Sequence, residues 1–185
     1  MHLAALIAKN IMAKLVPVYR VVTYILVAFA AVMCIVALFA LLVSFANPSM
    51  FLPVFMLAGV IIYTFTSFYF DRKGIQKGIA CKPSLRDWIR VNAFVTIAFS
   101  VTTLIDSINF LSHPALINDF SKQMMKSQPS YASAGITQAY LVHFLKTAFY
   151  IICSYCVLLL LHVAATFTLL KRYRYLFGKK DGRQP

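Results

Sequence analysis

Four apolar stretches, residues 21–46, 51–70, 91–110 and 147–170, decide what this chain can fold into. Each is long enough to cross a hydrocarbon core about 30 Å thick, which takes roughly 20 helical residues. The first three contain no Lys, Arg or Glu, and one acid, Asp106, interrupts the third. Strands of an outer-membrane barrel would instead run for about ten residues with alternating polarity, a pattern absent here. With 61% hydrophobic and only 12% charged residues among 185, the chain far exceeds the roughly 45–50% apolar content of soluble domains. That composition also excludes intrinsic disorder, which needs low hydrophobicity. The sequence predicts an all-α, polytopic membrane protein with four transmembrane helices.

The basic residues predict its orientation, because Lys and Arg in short flanks resist translocation. The segment before the first span carries Lys9, Lys14 and Arg20, and the loop 71–90 carries Arg72, Lys73, Lys77, Lys82, Arg86 and Arg90. The tail 171–185 adds Lys171, Arg172, Arg174, Lys179, Lys180 and Arg183. Only Lys122, Lys126 and Lys146, of 18 Lys and Arg in all, fall on the opposite side. Both termini are therefore expected in the cytoplasm of a bacterial cell, with the protein in its inner (plasma) membrane. The net charge of +13 is first a topology signal, and second an attraction for anionic lipid at the cytoplasmic face. Nucleic acid is not an expected partner, since the bases are scattered along membrane margins and not gathered on a soluble module.

The organisation follows. Residues 1–20 read as a cytoplasmic interfacial segment, 21–170 as the membrane domain, and 171–185 as a basic cytoplasmic tail. Ser44-Phe45-Ala46 has the small-x-small pattern of a signal-peptidase site, but the apolar run before it exceeds the roughly 7–15 residues of a signal core, so a retained helix is expected. Asn47-Pro48-Ser49 is a turn-forming cluster that should close the first two spans into a tight hairpin. Ser84 and Asp87 fit a capping pattern, which starts the third helix near Leu85 and puts Trp88 at headgroup level. In the outer loop, 111–146, the segment Pro114–Ser127 aligns Leu116, Ile117, Phe120 and Met124 on one face and predicts a short amphipathic helix.

Within the spans, polar and small residues carry what functional signal there is. Thr23, Ala30, Ala37 and Ser44 recur every seven positions on the first helix and make a small-residue seam for packing against another span or another copy. On the third helix Asn92, Thr96, Ser100, Thr103 and Ser107 share a face, extended by Thr102, Asp106 and Asn109. Lipid offers such a face no partners. Asp106 lies about 6 Å from the outer end of its span at 1.5 Å per residue, where Lys146 or His143 of the fourth helix can meet it. With Thr103 and Ser107 beside them in the candidate site, a pair with Lys146 is expected, either as a clamp or as an ion or proton entry point continuing along Ser100 and Thr96. His162 lies too deep to reach Asp106 and should hydrogen-bond, as a neutral ring, to a Ser or Thr on another span or to a carbonyl.

Cys153-Ser-Tyr-Cys156 is a C-x-x-C on the outer half of the fourth span. Its placement resembles that of four-span quinone reductases of the vitamin K epoxide reductase type, which implies thiol redox chemistry. Such a relay needs a second pair to exchange with, and neither outer loop contains Cys.

Other catalytic signatures are missing. The five acids are all Asp, so H-E-x-x-H zinc chemistry is impossible, and no P-loop, G-x-G-x-x-G or G-x-S-x-G occurs. No metal or cofactor is expected. The sequence reads as a non-enzymatic accessory or interaction subunit of a membrane complex, with a homo-oligomer or another membrane protein as partner. A small transporter or channel subunit using Asp106 is the alternative, and a redox protein using Cys153 and Cys156 a further one.

Overall fold

The computed structural model describes the backbone of residues 2–128, 130–133 and 135–178, and side chains of 15–128, 130, 131 and 135–178. Lys179, Lys180 and Arg183 of the basic tail, and the side chains of Lys9 and Lys14, lie outside the described residues. The described chain is helical throughout: α1 (His2–Ala46), α2 (Phe51–Tyr69), α3 (Pro83–Ser112), α4 (Pro114–Ser127), the single turn α5 (Ser130–Ser133) and α6 (Gln138–Arg172). Four segments, Leu15–Ala46, Pro48–Gln76, Pro83–Ser112 and Gln138–Arg172, are long and apolar enough to cross a membrane. Each contains one of the four stretches read from the sequence.

Two boundaries differ from the sequence reading. No break separates residues 1–20 from the first span, since α1 runs through Pro17 without interruption. The second span does not stop at Phe70 but continues as a π-helical turn, Phe70–Gln76, which buries Asp71 and Gly74. This wider turn lets an acid enter the interior beside its partners. It is followed by Gly78, whose φ of +64° is a conformation that glycine adopts at no steric cost.

The chain divides into two compact units, residues 1–99 with 159–185, and residues 100–158. In the first unit α1 and α2 form the expected hairpin. Asn47 is extended (φ −134°, ψ 95°), and its side-chain oxygen accepts from Ser49 N–H (3.3 Å) and Ser49 Oγ (2.7 Å), while a short 3-10 turn, Pro48–Met50, leads into α2. Gly59 makes room on α2 for Val95 of α3, because a Cβ there would fall 2.5 Å from Val95 Cγ1. The unit's core gathers Tyr19, Tyr63, Phe70, Ile89, Ala93, Val163 and Leu169 around Phe177 and Leu176 of a terminal 3-10 turn, Arg174–Phe177. That turn is tied to the loop before α3 by Cys81 N–H donating to Leu176 O at 2.8 Å.

In the second unit Phe110 stacks on Phe149 (5.0 Å, 12°) and meets Phe120 edge-on (6.2 Å, 65°). The predicted helix at Pro114–Ser127 is present as α4, and it turns Ile117 and Ser121 inward. Pro114 supplies a pre-set φ at its first position.

Candidate functional site

Three helices of the first unit each contribute two polar residues one turn apart: Tyr19 and Thr23 from α1, Tyr63 and Ser67 from α2, His162 and Thr166 from α6. Side chains at i and i+4 share a helix face, so each pair makes a short polar stripe in an apolar span. The three stripes meet at His162. Its Nε2 lies 2.9 Å from Thr23 Oγ1 and its Nδ1 2.8 Å from Tyr63 OH. Tyr19 stacks on the imidazole at 4.6 Å with the planes 7° apart, and Tyr63 meets it edge-on. Thr166 Oγ1 lies 2.8 Å from Tyr63 OH and 3.2 Å from Tyr19 OH. All five residues are buried to 2% exposure or less.

The partners define the proton positions. Thr23 Oγ1 donates to Tyr19 O at 2.7 Å, so it accepts from His162 Nε2–H. Nδ1 is then the acceptor for the Tyr63 hydroxyl. One proton on the ring therefore satisfies both nitrogens, and the imidazole has no lone pair left for a ligand. Burying an unsatisfied polar group costs about 1–3 kcal/mol, and this arrangement avoids that cost at the ring. The expected hydrogen bond from His162 to a hydroxyl on another span is thus formed, with Thr23 as the partner.

Next to this cluster Asp71, its side chain fully buried, accepts from Gln76 Nε2 at 2.6 Å and lies 3.8 Å from Arg20 Nε. Asp71 Oδ1, Arg20 Nε and Ser67 Oγ are buried without a hydrogen-bond partner, so this second layer is less completely satisfied than the first. The loop thiol of Cys81, 4% exposed, lies beside Gly74 of the π-helical turn. Burial pushes that thiol above its ordinary value, and the nearby Lys73 ammonium only partly offsets the shift, so Cys81 is not an activated nucleophile.

The residues that the sequence put forward are distributed differently. On α3, Asn92, Thr96, Ser100 and Ser107 are buried as expected and Thr103 half-buried, whereas Asp106 and Asn109 are exposed. The expected Asp106–Lys146 pair is not formed. Ion pairs among the described residues join Arg20 to Asp71, Arg86 to Asp87 and Lys122 to Asp119, and Lys146 and His143 are themselves exposed. The reason is angular: at 100° per residue Asp106 sits about 80° round the helix from Thr96, which places it with the exposed Thr102 and Asn109.

Of the small-residue seam, Thr23, Ala30 and Ser44 are buried within the single chain and Ala37 is half-buried. Cys153 and Cys156 are free thiols, half-buried and buried respectively. At i and i+3 of an unbroken helix their Cβ atoms are about 5–6 Å apart, beyond the roughly 3.5–4.5 Å of a disulfide. Closing that bond would require the helix to deform.

Among the described residues no group of three or more His, Cys, Asp or Glu is gathered as for a metal ion. The sequence reading missed Tyr19, Tyr63, Thr166 and Asp71, although the three i, i+4 polar pairs were there to be found. Comparisons with family models, curated proteins and solved structures found no match to the chain.

Proposed function

We propose that this protein is a non-enzymatic accessory subunit of a membrane complex, crossing a bacterial plasma membrane four times with both termini in the cytoplasm. The observation that carries this reading is the position of Asp106, exposed on α3 on the same side as the exposed Asn109 and outside every ion pair among the described residues. A carboxylate on the outward face of a membrane helix is costly unless a partner meets it, about 2.5–3.5 kcal/mol at mid-span on the insertion scale and less toward the ends. A partner helix bringing a cation or hydrogen-bond donor to that face removes the cost.

The polar cluster at His162 supports the same assignment by contrast. Its donors and acceptors are used up in joining α1, α2 and α6, so it serves the subunit's own cohesion. The distribution of Lys and Arg supports the orientation, and the bases flanking the spans attract anionic lipid.

Site-specific photocross-linkers at Ile105 and Asn109, with the inward Ser107 as control, test the proposal in intact membranes. A discrete adduct is expected from the two outward positions and none from Ser107. A cross-linked peptide from this same chain makes the complex a homo-oligomer, and one from another membrane protein makes it a hetero-complex. A chain that stays monomeric and captures only lipid from both positions overturns the reading.

A further inference from the structure

The first unit contains a cavity of about 380 Å³ lined by Arg86, Arg90, Leu170, Lys171 and Arg174. Four of these five residues are cationic, and they come from two places. Arg86 and Arg90 are one turn apart at the start of α3, and so share a face. Lys171 and Arg174 lie at the end of α6 and in the 3-10 turn that follows it. Arg90, Lys171 and Arg174 take part in no ion pair among the described residues. Arg86 Nε lies 3.5 Å from Asp87 Oδ1 but is buried and makes no hydrogen bond. Asp87 itself is 61% exposed, so the acid beside Arg86 stands in solvent and does not fill the cavity.

Like charges gathered around a cavity repel one another, and an anion seated between them removes that repulsion. Arginine forks match a phosphate bidentately, better than the point charge of an ammonium, and three of the four bases are Arg. The height of the cavity narrows the choice further. Arg90 immediately precedes the apolar stretch 91–110, Lys171 immediately follows the stretch 147–170, and the exposed Trp88 lies on the same first turns of α3. These are the positions at which a membrane helix leaves the hydrocarbon and enters the headgroup layer. Leu170, 2% exposed, forms the apolar wall on the membrane side.

We propose that this cavity is a binding site for a phosphate group, and that the phosphate is that of an anionic phospholipid headgroup. The inference rests on the membrane placement given above, but needs neither the partner complex nor the sidedness. Basic cavities between span ends are the expected seats of such headgroups.

The test uses the purified full-length protein without partners, titrated in detergent with phosphatidylglycerol, phosphatidylcholine or inorganic phosphate, with bound species counted by native mass spectrometry. Wild type should take up phosphatidylglycerol at least tenfold more tightly than phosphatidylcholine. The R90Q/R174Q variant should lose that preference, and Lys77→Gln, a base outside the cavity, should keep it. Should R90Q/R174Q fail to fold, Lys171→Gln alone, at an exposed position, should reduce the preference about threefold.

Inorganic phosphate that abolishes phosphatidylglycerol uptake at low millimolar concentration, while phosphatidylglycerol itself binds no better than phosphatidylcholine, assigns the site to free phosphate and overturns the lipid. A preference unchanged in R90Q/R174Q, or absent from a wild type that also binds no inorganic phosphate, overturns the site. A chain that binds phosphatidylglycerol here yet yields no adduct through Ile105 retains this site and loses the accessory role, and the converse result does the reverse.

Discussion

Two polar regions of the spans obey opposite rules. Around His162, in the first unit, five side chains from three helices are buried and the ring's two nitrogens are both matched. Around Asp106, in the second, the acid faces outward and no ion pair reaches it among the described residues. A hydrogen bond between membrane helices is worth on average only about 0.6 kcal/mol, so neither region is built for strength in its individual bonds. The difference lies in what removal leaves behind. Deleting a member of the first strands its neighbours in a dry interior, whereas changing the second alters a surface that only a partner or lipid touches.

The sharpest way to break this contrast is to remove the ring at the centre of the first region. His162→Ala leaves a void of ring size, takes the stacking face from Tyr19, and removes one hydrogen bond each from Thr23 and Tyr63. Large-to-small changes of this kind cost roughly 2–5 kcal/mol, and about 3 kcal/mol is expected here, measured as the shift in the unfolding equilibrium in mixed detergent. A loss below about 1 kcal/mol would show the cluster to be dispensable. Tyr63→Phe is milder. It keeps the ring in place and removes one hydroxyl, leaving Nδ1 of His162 unmatched, for an expected loss of about 1 kcal/mol. If Tyr63→Phe costs as much as His162→Ala, the hydroxyl and not the packing holds the three helices together.

The same contrast shows where the sequence is legible. The four spans, the Asn47-Pro48-Ser49 hairpin and the helix at Pro114–Ser127 all follow from local chemistry: apolar run length, turn residues, and one amphipathic face. The inward stripe of Asn92, Thr96, Ser100 and Ser107 is equally local, since helical spacing alone aligns it. Asp106 escapes this kind of reasoning. Helical spacing puts it at one edge of the polar face, and only packing shows which edge of a polar sector is covered. His162 was legible as a hydrogen-bonding residue, and Thr23 was visible for its small size. That Tyr19, Tyr63 and Thr166 would join them depends on how three helices are set against one another. The cavity at Arg86, Arg90, Lys171 and Arg174 has the same character: each base is read from the sequence as a topology marker, and their convergence is a property of the fold.

Asp106→Asn produces the smallest expected effect, and it is the most discriminating. The substitution keeps the size and removes the charge at an exposed position, so the stability of the purified chain should change by no more than about 0.5 kcal/mol, as for surface substitutions in general. If the acid were half of an intramolecular clamp with Lys146, neutralising it would instead strand a cation, and Lys146→Met combined with Asp106→Asn would restore what the single change lost. Additive behaviour in that double-mutant cycle is expected, because no ion pair joins the two residues. A coupling of about 1 kcal/mol or more would establish the clamp in the membrane and remove the ground for a partner at this face. With additivity confirmed, a fall in the photocross-linked adduct at Ile105 on Asp106→Asn, at unchanged stability, would locate the carboxylate's role in the contact between subunits.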